Sequence, residues 1–228
     1  MSTVSAAPGV KAPGRRPQSG PPLLAPVLAF AGLTIAYVVA NRATPHPDAS
    51  GLAVLEYARS HGTTIKVGAF LLVASAVPLA LTAAVLYRRL RALGITAPGS
   101  AITLVGGVSA AGALSLSGMF TWTGGRVETD PALARALADL GFVAGGPAFG
   151  AMFALLVAGI SVTGLLAGLL PRAVTWTGLV LAAVGMVALL TLLASPFGFL
   201  LPVVRFGGTV WLVAVAALLP RTRPSRHQ

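Results

Sequence analysis

Six apolar runs of about 20 residues each, separated by short connections, leave this chain few ways to fold. They cover residues 22–40, 67–87, 101–122, 147–170, 174–194 and 199–219. At 1.5 Å per helical residue, each is long enough to cross a hydrocarbon layer ~30 Å thick. Only 9% of the 228 residues are charged, against roughly a quarter in soluble domains, too few to clothe a water-facing surface. The reading is all-α: a polytopic membrane helix bundle with six transmembrane helices, occupying residues 21–220 as one domain. Residues 1–20, rich in Pro, Gly and Ser without apolar periodicity, are expected to form a disordered cytoplasmic tail, and residues 221–228 a basic one.

Two connections carry more than turn signals. Residues 45–62 and 124–141 each contain a short amphipathic pattern, and Asp130 followed by Pro131 reads as an N-cap with proline at the first helical position. Two short amphipathic helices on the outer face are therefore expected. Pro26, Pro78 and Pro202 fall inside spans and should kink them, whereas Gly145-Gly146-Pro147 reads as the start of the fourth span. Spacings of 82 from Asp48 to Asp130, and of 83 from Phe70 to Phe153 and from Arg89 to Arg172, raise the expectation of a parallel internal repeat.

The net charge of +11 is explained by topology. With the N-terminus inside, Lys11, Arg15, Arg16, Arg88, Arg89, Arg91, Arg172, Arg221, Arg223 and Arg226 gather on the cytoplasmic side, ten of the sixteen cations. Five cations and all five acids then share the outer loops, and Arg205 lies within the last span. This partition places both termini in the cytosol and the chain in a cytoplasmic membrane, and the basic excess needs no nucleic acid. The Ala/Gly/Arg-rich composition points to a bacterial, high-GC origin.

Arg205 is the sharpest candidate for function, because an arginine inside a span costs a few kcal/mol unless paired, hydrated or snorkelling. Either its side chain snorkels outward, or it faces the bundle interior as an anion site. The expected companions are Glu128 or Asp130 from the second outer loop, or a ligand's acidic head. Trp122 fits an interfacial belt, while Trp211 is deep enough to line a pocket or pack between helices. Gly146-xxx-Gly150 and Gly164-xxx-Gly168 match the small-residue spacing of close helix contacts, compatible with a tight bundle or a homo-oligomer. His46, Asp48, Glu56 and His61 are better read as solvated loop residues than as a metal site, and no cofactor is expected. Span serines such as Ser115, Ser117 and Ser161 lack a base at helical spacing and read as hydrogen-bond donors between helices, so the chain is not expected to be an enzyme. Without cysteine, thiol chemistry is excluded.

The segments Tyr87-Arg88-Arg89-Leu90-Arg91, Leu170-Pro171-Arg172 and Pro202-x-x-Arg205-Phe206-Gly207-Gly208-x-x-Trp211 resemble those of bacterial six-helix membrane proteins classed as a domain of unknown function. The resemblance implies the six-helix layout and draws attention to the last segment, but brings no substrate. The leading expectation is a membrane protein binding a lipid or small amphiphilic anion in an outward-opening cavity, with Arg205, Trp211, Glu128, Asp130 and Trp122 as its candidate residues. A solute permease and a structural or regulatory subunit of a membrane complex are the alternatives.

Overall fold

A computed structural model describes residues 22–220, so both expected tails lie outside the described residues. Every regular element within them is helical: α1 (Leu24–Ala40), α2 (Gly51–Ser60), α3 (Gly62–Ala92), α4 (Gly99–Gly124), α5 (Pro131–Val143), α6 (Phe149–Leu166) and α7 (Arg172–Val187). Beyond α7 come a 3-10 stretch Ala188–Leu192, a second at Ser195–Phe199, the short α8 (Leu200–Pro202), a π turn at Val203–Gly207 and α9 (Gly208–Leu218). Five helical segments are long and apolar enough to cross a membrane. The remaining apolar helix, α1, has 17 residues, the lower end of the spanning range. The chain is a multi-pass membrane protein.

Around the bundle α1 lies on α3, α3 on α4, α4 on α6 and α6 on α7, and α9 closes the ring between α7 and α1. The core follows from α6, whose Phe153, Leu156 and Ile160 are fully buried. On the outer surface Phe70, Val77 and Leu81 of α3 and Val180 of α7 stay exposed, as lipid-facing positions should. At the ends of α3 and α6 the chain reverses through Gly94 (φ +86°) and Gly168 (φ +63°), a left-handed conformation that glycine adopts without steric cost.

Charge separates along the bundle axis. The connections bearing Asp48, Glu56, Glu128, Asp130 and Asp139 meet at one end, where α2 packs on α5 and Arg59 Nε donates to the Glu128 carbonyl at 2.8 Å. We call this the carboxylate end. Arg88, Arg89 and Arg91 close α3 at the opposite end, where Arg89 Nη1 reaches the Leu219 carbonyl at 3.5 Å.

Both short helices form. Ser50 caps α2 by accepting from the Ala53 amide at 3.3 Å, and Asp130 caps α5 by accepting from Ala132 and Leu133 at 2.9 and 3.1 Å. Asp130→Ala is expected to lower thermal stability by about 1 kcal/mol, with Asp130→Asn retaining most of it. An unchanged melting temperature for the alanine variant in calorimetry would show that the cap is redundant.

One reading of the sequence needs correction. The Gly145-Gly146-Pro147 triplet does not start a helix; it lies in a π turn, Ala144–Ala148, that carries α5 straight into α6 as one segment over 131–166. Pro147 has no N–H and its ring opposes the carbonyl four residues back, so the wider turn lets the helix run through it. The second amphipathic helix is thus an extension of the fourth span. The three span prolines sit in different helical contexts. Pro26 falls in the first turn of α1, where amide donors have no helical acceptor anyway, and Pro78 sits inside the 31-residue α3. Pro202 does disturb its helix, immediately preceding the second π turn.

The repeat survives only as a pattern of span, short helix, span. Phe70 is 68% exposed whereas Phe153 is buried, and Arg89 ends a helix whereas Arg172 begins one. The caps, Ser50 and Asp130, are 80 positions apart, a spacing the repeat does not use.

Candidate functional site

The two π turns face each other, and Arg205 joins them. Its Nη2 donates to the Gly145 carbonyl in the first turn, its guanidinium carbon stands 5.0 Å from the Phe149 ring centre, and the Tyr37 ring of α1 lies 6.0 Å away. Each π turn holds one more residue than the α turn it replaces, which re-aims side chains and loosens the carbonyl ladder. Gly145 is needed here because a Cβ would collide with Ser117 Oγ of α4, which itself donates to the Gly141 carbonyl at 2.8 Å. Thr209 Oγ1 accepts no such role and instead donates to the Arg205 carbonyl at 2.6 Å, steadying the second turn.

These contacts hold the cation without neutralising it. An intramembrane arginine costs about 2.5–3.5 kcal/mol on insertion scales. One charged hydrogen bond returns about 1.5–3 kcal/mol, and each aromatic face adds roughly 0.5–2 kcal/mol. The side chain is therefore tolerated where it lies. No carboxylate offsets its charge among the described residues, where the ion pairs are His46 with Asp48 and Arg135 with Asp139. One of five N–H donors is engaged by Gly145.

Arg205 lines a cavity of about 760 Å³ opening at the carboxylate end. Apolar walls come from α1, α5, α6 and the last span, including Val38, Phe142, Phe149 and Phe206. Two polar atoms in this lining, Tyr57 Oη and Thr191 Oγ1, are buried without a hydrogen-bond partner. Burying such a group unpaired costs about 1–3 kcal/mol, a cost both residues carry because neither oxygen reaches the cavity surface. Over the cavity runs the α1–α2 loop. Arg135 of α5 ties it down by donating to the Ala49 carbonyl at 2.7 Å and to the Pro47 carbonyl, while its Nε meets Asp139 Oδ2 at 3.1 Å.

Of the five residues singled out from sequence, only Arg205 lines this cavity. Glu128 turns its carbonyl to Arg59, and Asp130 is occupied as the α5 cap, so neither pairs with Arg205. Trp122 is 47% exposed with Arg126 stacked 4.6 Å over its ring. Trp211 is a packing residue: its ring lies against Gly178, and Nε1 donates to the Val174 carbonyl at 2.7 Å. Ser117 bridges two helices, Ser115 bonds within its own at 3.1 Å, and Ser161 Oγ has no partner. His46 meets Asp48 at 3.3 Å, whereas His61 stacks on Tyr57, and no group of three metal-ligating residues forms among the described residues. Sequence reasoning missed Tyr37, Tyr57 and Phe149. Aromatic residues near span ends were a signal for Tyr37 and Phe149, whereas Tyr57 lies in the short outer helix, and nothing local marked which would turn inward.

Comparison with protein-family models, with curated proteins and with solved structures gave no match.

Proposed function

We propose that this chain is a membrane-embedded binding protein for an anionic amphiphile, a carboxylate or phosphate head resting against Arg205 and an apolar body against the cavity wall. The observation that carries the reading is a guanidinium without a carboxylate partner in the wall of a cavity of about 760 Å³, a size within the ~300–1,000 Å³ range of small-molecule sites. The walls are mostly apolar with a few convergent polar groups, the usual chemistry of such pockets. Binding, not catalysis, is the activity proposed. The abundance of arginine at the far end supports a cytoplasmic membrane with both termini in the cytosol and the cavity facing outward. The resemblance to bacterial six-helix proteins agrees with this layout and leaves the ligand open.

The permease reading would be favoured by equivalent halves around the site, and the residues paired by the repeat spacing do not occupy equivalent positions.

Thermal shift of the detergent-solubilised chain with dodecyl phosphate, against dodecyl trimethylammonium as the cationic control, tests the reading. The phosphate should stabilise and the cation should not. Arg205→Gln is expected to weaken phosphate binding roughly 10- to 100-fold, the loss of about 1.5–3 kcal/mol from charge-assisted hydrogen bonds. Arg205→Lys should fall between, because an ammonium keeps the charge and loses the fork. Equal stabilisation by both amphiphiles, or by phosphate in the Gln variant, would remove the anion site from consideration.

A further inference from the structure

We propose that the occupant is an anionic lipid of the surrounding bilayer, admitted sideways between α1 and the last span, its head on Arg205 and its chains left in the cleft. This rests on the binding reading above and adds the source of the ligand and its route.

The walls differ in how tightly they close. Between α1 and α3 the Asn41 amide lies directly over Gly68, where an added Cβ would come within 2.5 Å of Asn41 Oδ1, and Asn41 is itself fixed by a 3.0 Å bond to the Tyr37 carbonyl. Between the first π turn and the last span, Leu201 covers Gly146, 3.2 Å from where a Cβ would be. The remaining wall is weaker. Although α9 packs on α1, above Gly208 the chain leans on α7 and keeps few contacts with α1. Val38 of α1 and Phe206 of the last span both line the cavity, and Phe206 is 40% exposed. This sparsely packed seam, with apolar side chains beside it, is the route by which a lipid of the bilayer would reach the cation.

Depth agrees with a lipid head. Tyr37, beside Arg205, lies three residues before the end of α1, about 5 Å along the helix axis. The guanidinium is thus about one turn below the end of the span, close to the level at which head groups meet acyl chains. Size decides what enters. About 760 Å³ accommodates a drug-sized body, so a two-chain lipid would seat its head and leave its chains outside.

The test uses the full chain in nanodiscs of nine parts phosphatidylcholine to one part phosphatidylglycerol, with mass spectrometry of the lipids retained after mild detergent extraction. A parallel titration follows hexyl phosphate, which has no need of the bilayer. The ratio of retained phosphatidylglycerol to phosphatidylcholine is expected to rise about tenfold over that of the disc, the factor given by about 1.4 kcal/mol of preference. Val38→Trp, which narrows the cleft, should remove most of that enrichment and slow lipid exchange, because the indole would stand where the chains pass. Phe206→Ala, which widens it, should speed lipid exchange. Arg205→Gln should remove the enrichment and weaken the hexyl phosphate titration roughly 10- to 100-fold. Enrichment untouched by Val38→Trp, with exchange untouched by Phe206→Ala, would overturn the sideways route. Arg205-dependent hexyl phosphate binding without lipid enrichment would overturn the lipid and leave the anion site standing. Absence of both would take the binding reading down with it.

Discussion

Gly106→Val is expected to abolish the folded bundle. A Cβ at Gly106 would fall on the Leu156 amide nitrogen and come within 2.9 Å of the Leu155 carbonyl carbon and the Met152 carbonyl oxygen. These are backbone atoms of α6, fixed by its own ladder, and they cannot rotate away. The approach is mutual, since a Cβ at Gly159 would lie 2.7 Å from the Thr103 amide and 2.8 Å from the Gly99 carbonyl. Membrane helices associate through close packing, without hydrophobic gain from leaving lipid, so forcing α4 from α6 removes what joins them. Ordinary overpacking costs about 1–3 kcal/mol, and rigid obstacles at two crossing levels place this case at the top or beyond. Against a total stability of about 5–15 kcal/mol, size-exclusion profiles should show aggregate in place of a monodisperse peak. Gly112→Ala on the same helix meets open space and should be neutral or stabilise by up to about 1 kcal/mol through helix propensity. A monodisperse Gly106→Val protein with unchanged melting would mean that α4 and α6 are not this close.

The contrast between these two glycines shows how much the sequence discloses. Helix class, the number of apolar segments and the Asp130-Pro131 cap follow from hydropathy and local chemistry, because those signals need only neighbouring residues. Segregation of carboxylates from the arginine-rich connections is equally local. Which of Gly106, Gly107 and Gly112 faces another backbone depends on rotation about the helix axis, and α4 is apolar all round, so its pattern carries no preferred face.

The site is harder to read for a similar reason. Arg205 stands out by charge alone. Its partner is the carbonyl of Gly145, an atom every residue possesses, so no side-chain search would find it. A sequence search offers carboxylates, and Glu128 and Asp130 were the natural candidates. Both π turns were marked by a proline, Pro147 and Pro202, but proline is compatible with a helix start, a kink or a widened turn. Packing of Ser117 against Gly145 and of Leu201 against Gly146 selects among these, and neither contact is local in the chain. Phe149 and Tyr37 become a cradle for the cation only because the turns bring α1, α6 and the last span to one point.

Arg135→Met is expected to release the loop over the cavity while leaving the bundle intact. Arg135 reaches from α5 to two carbonyls of the α1–α2 loop, at Pro47 and Ala49, and to both oxygens of Asp139, with Nη2 to Oδ1 at 2.5 Å. The loop's own turns, Thr44 N to Asn41 O at 3.1 Å and Ala49 N to His46 O at 2.9 Å, span only three residues each and do not fix its position over the bundle. A charged hydrogen bond contributes about 1.5–3 kcal/mol, and two of them, discounted because the side chain is partly exposed to solvent, amount to roughly 2–3 kcal/mol. Exchange of the hydrogen-bonded Thr44 and Ala49 amides should accelerate roughly 30- to 100-fold, at one decade per 1.4 kcal/mol, while α4 and α6 keep their protection. Asp139→Asn should have the smaller effect, because the guanidinium keeps its loop carbonyls. If the site binds as proposed, the same release should shorten the residence of hexyl phosphate without changing the Arg205 dependence, since the roof confines the ligand and the cation holds it. Slow exchange throughout the loop of Arg135→Met would place its anchor elsewhere, and the roof would then owe nothing to α5.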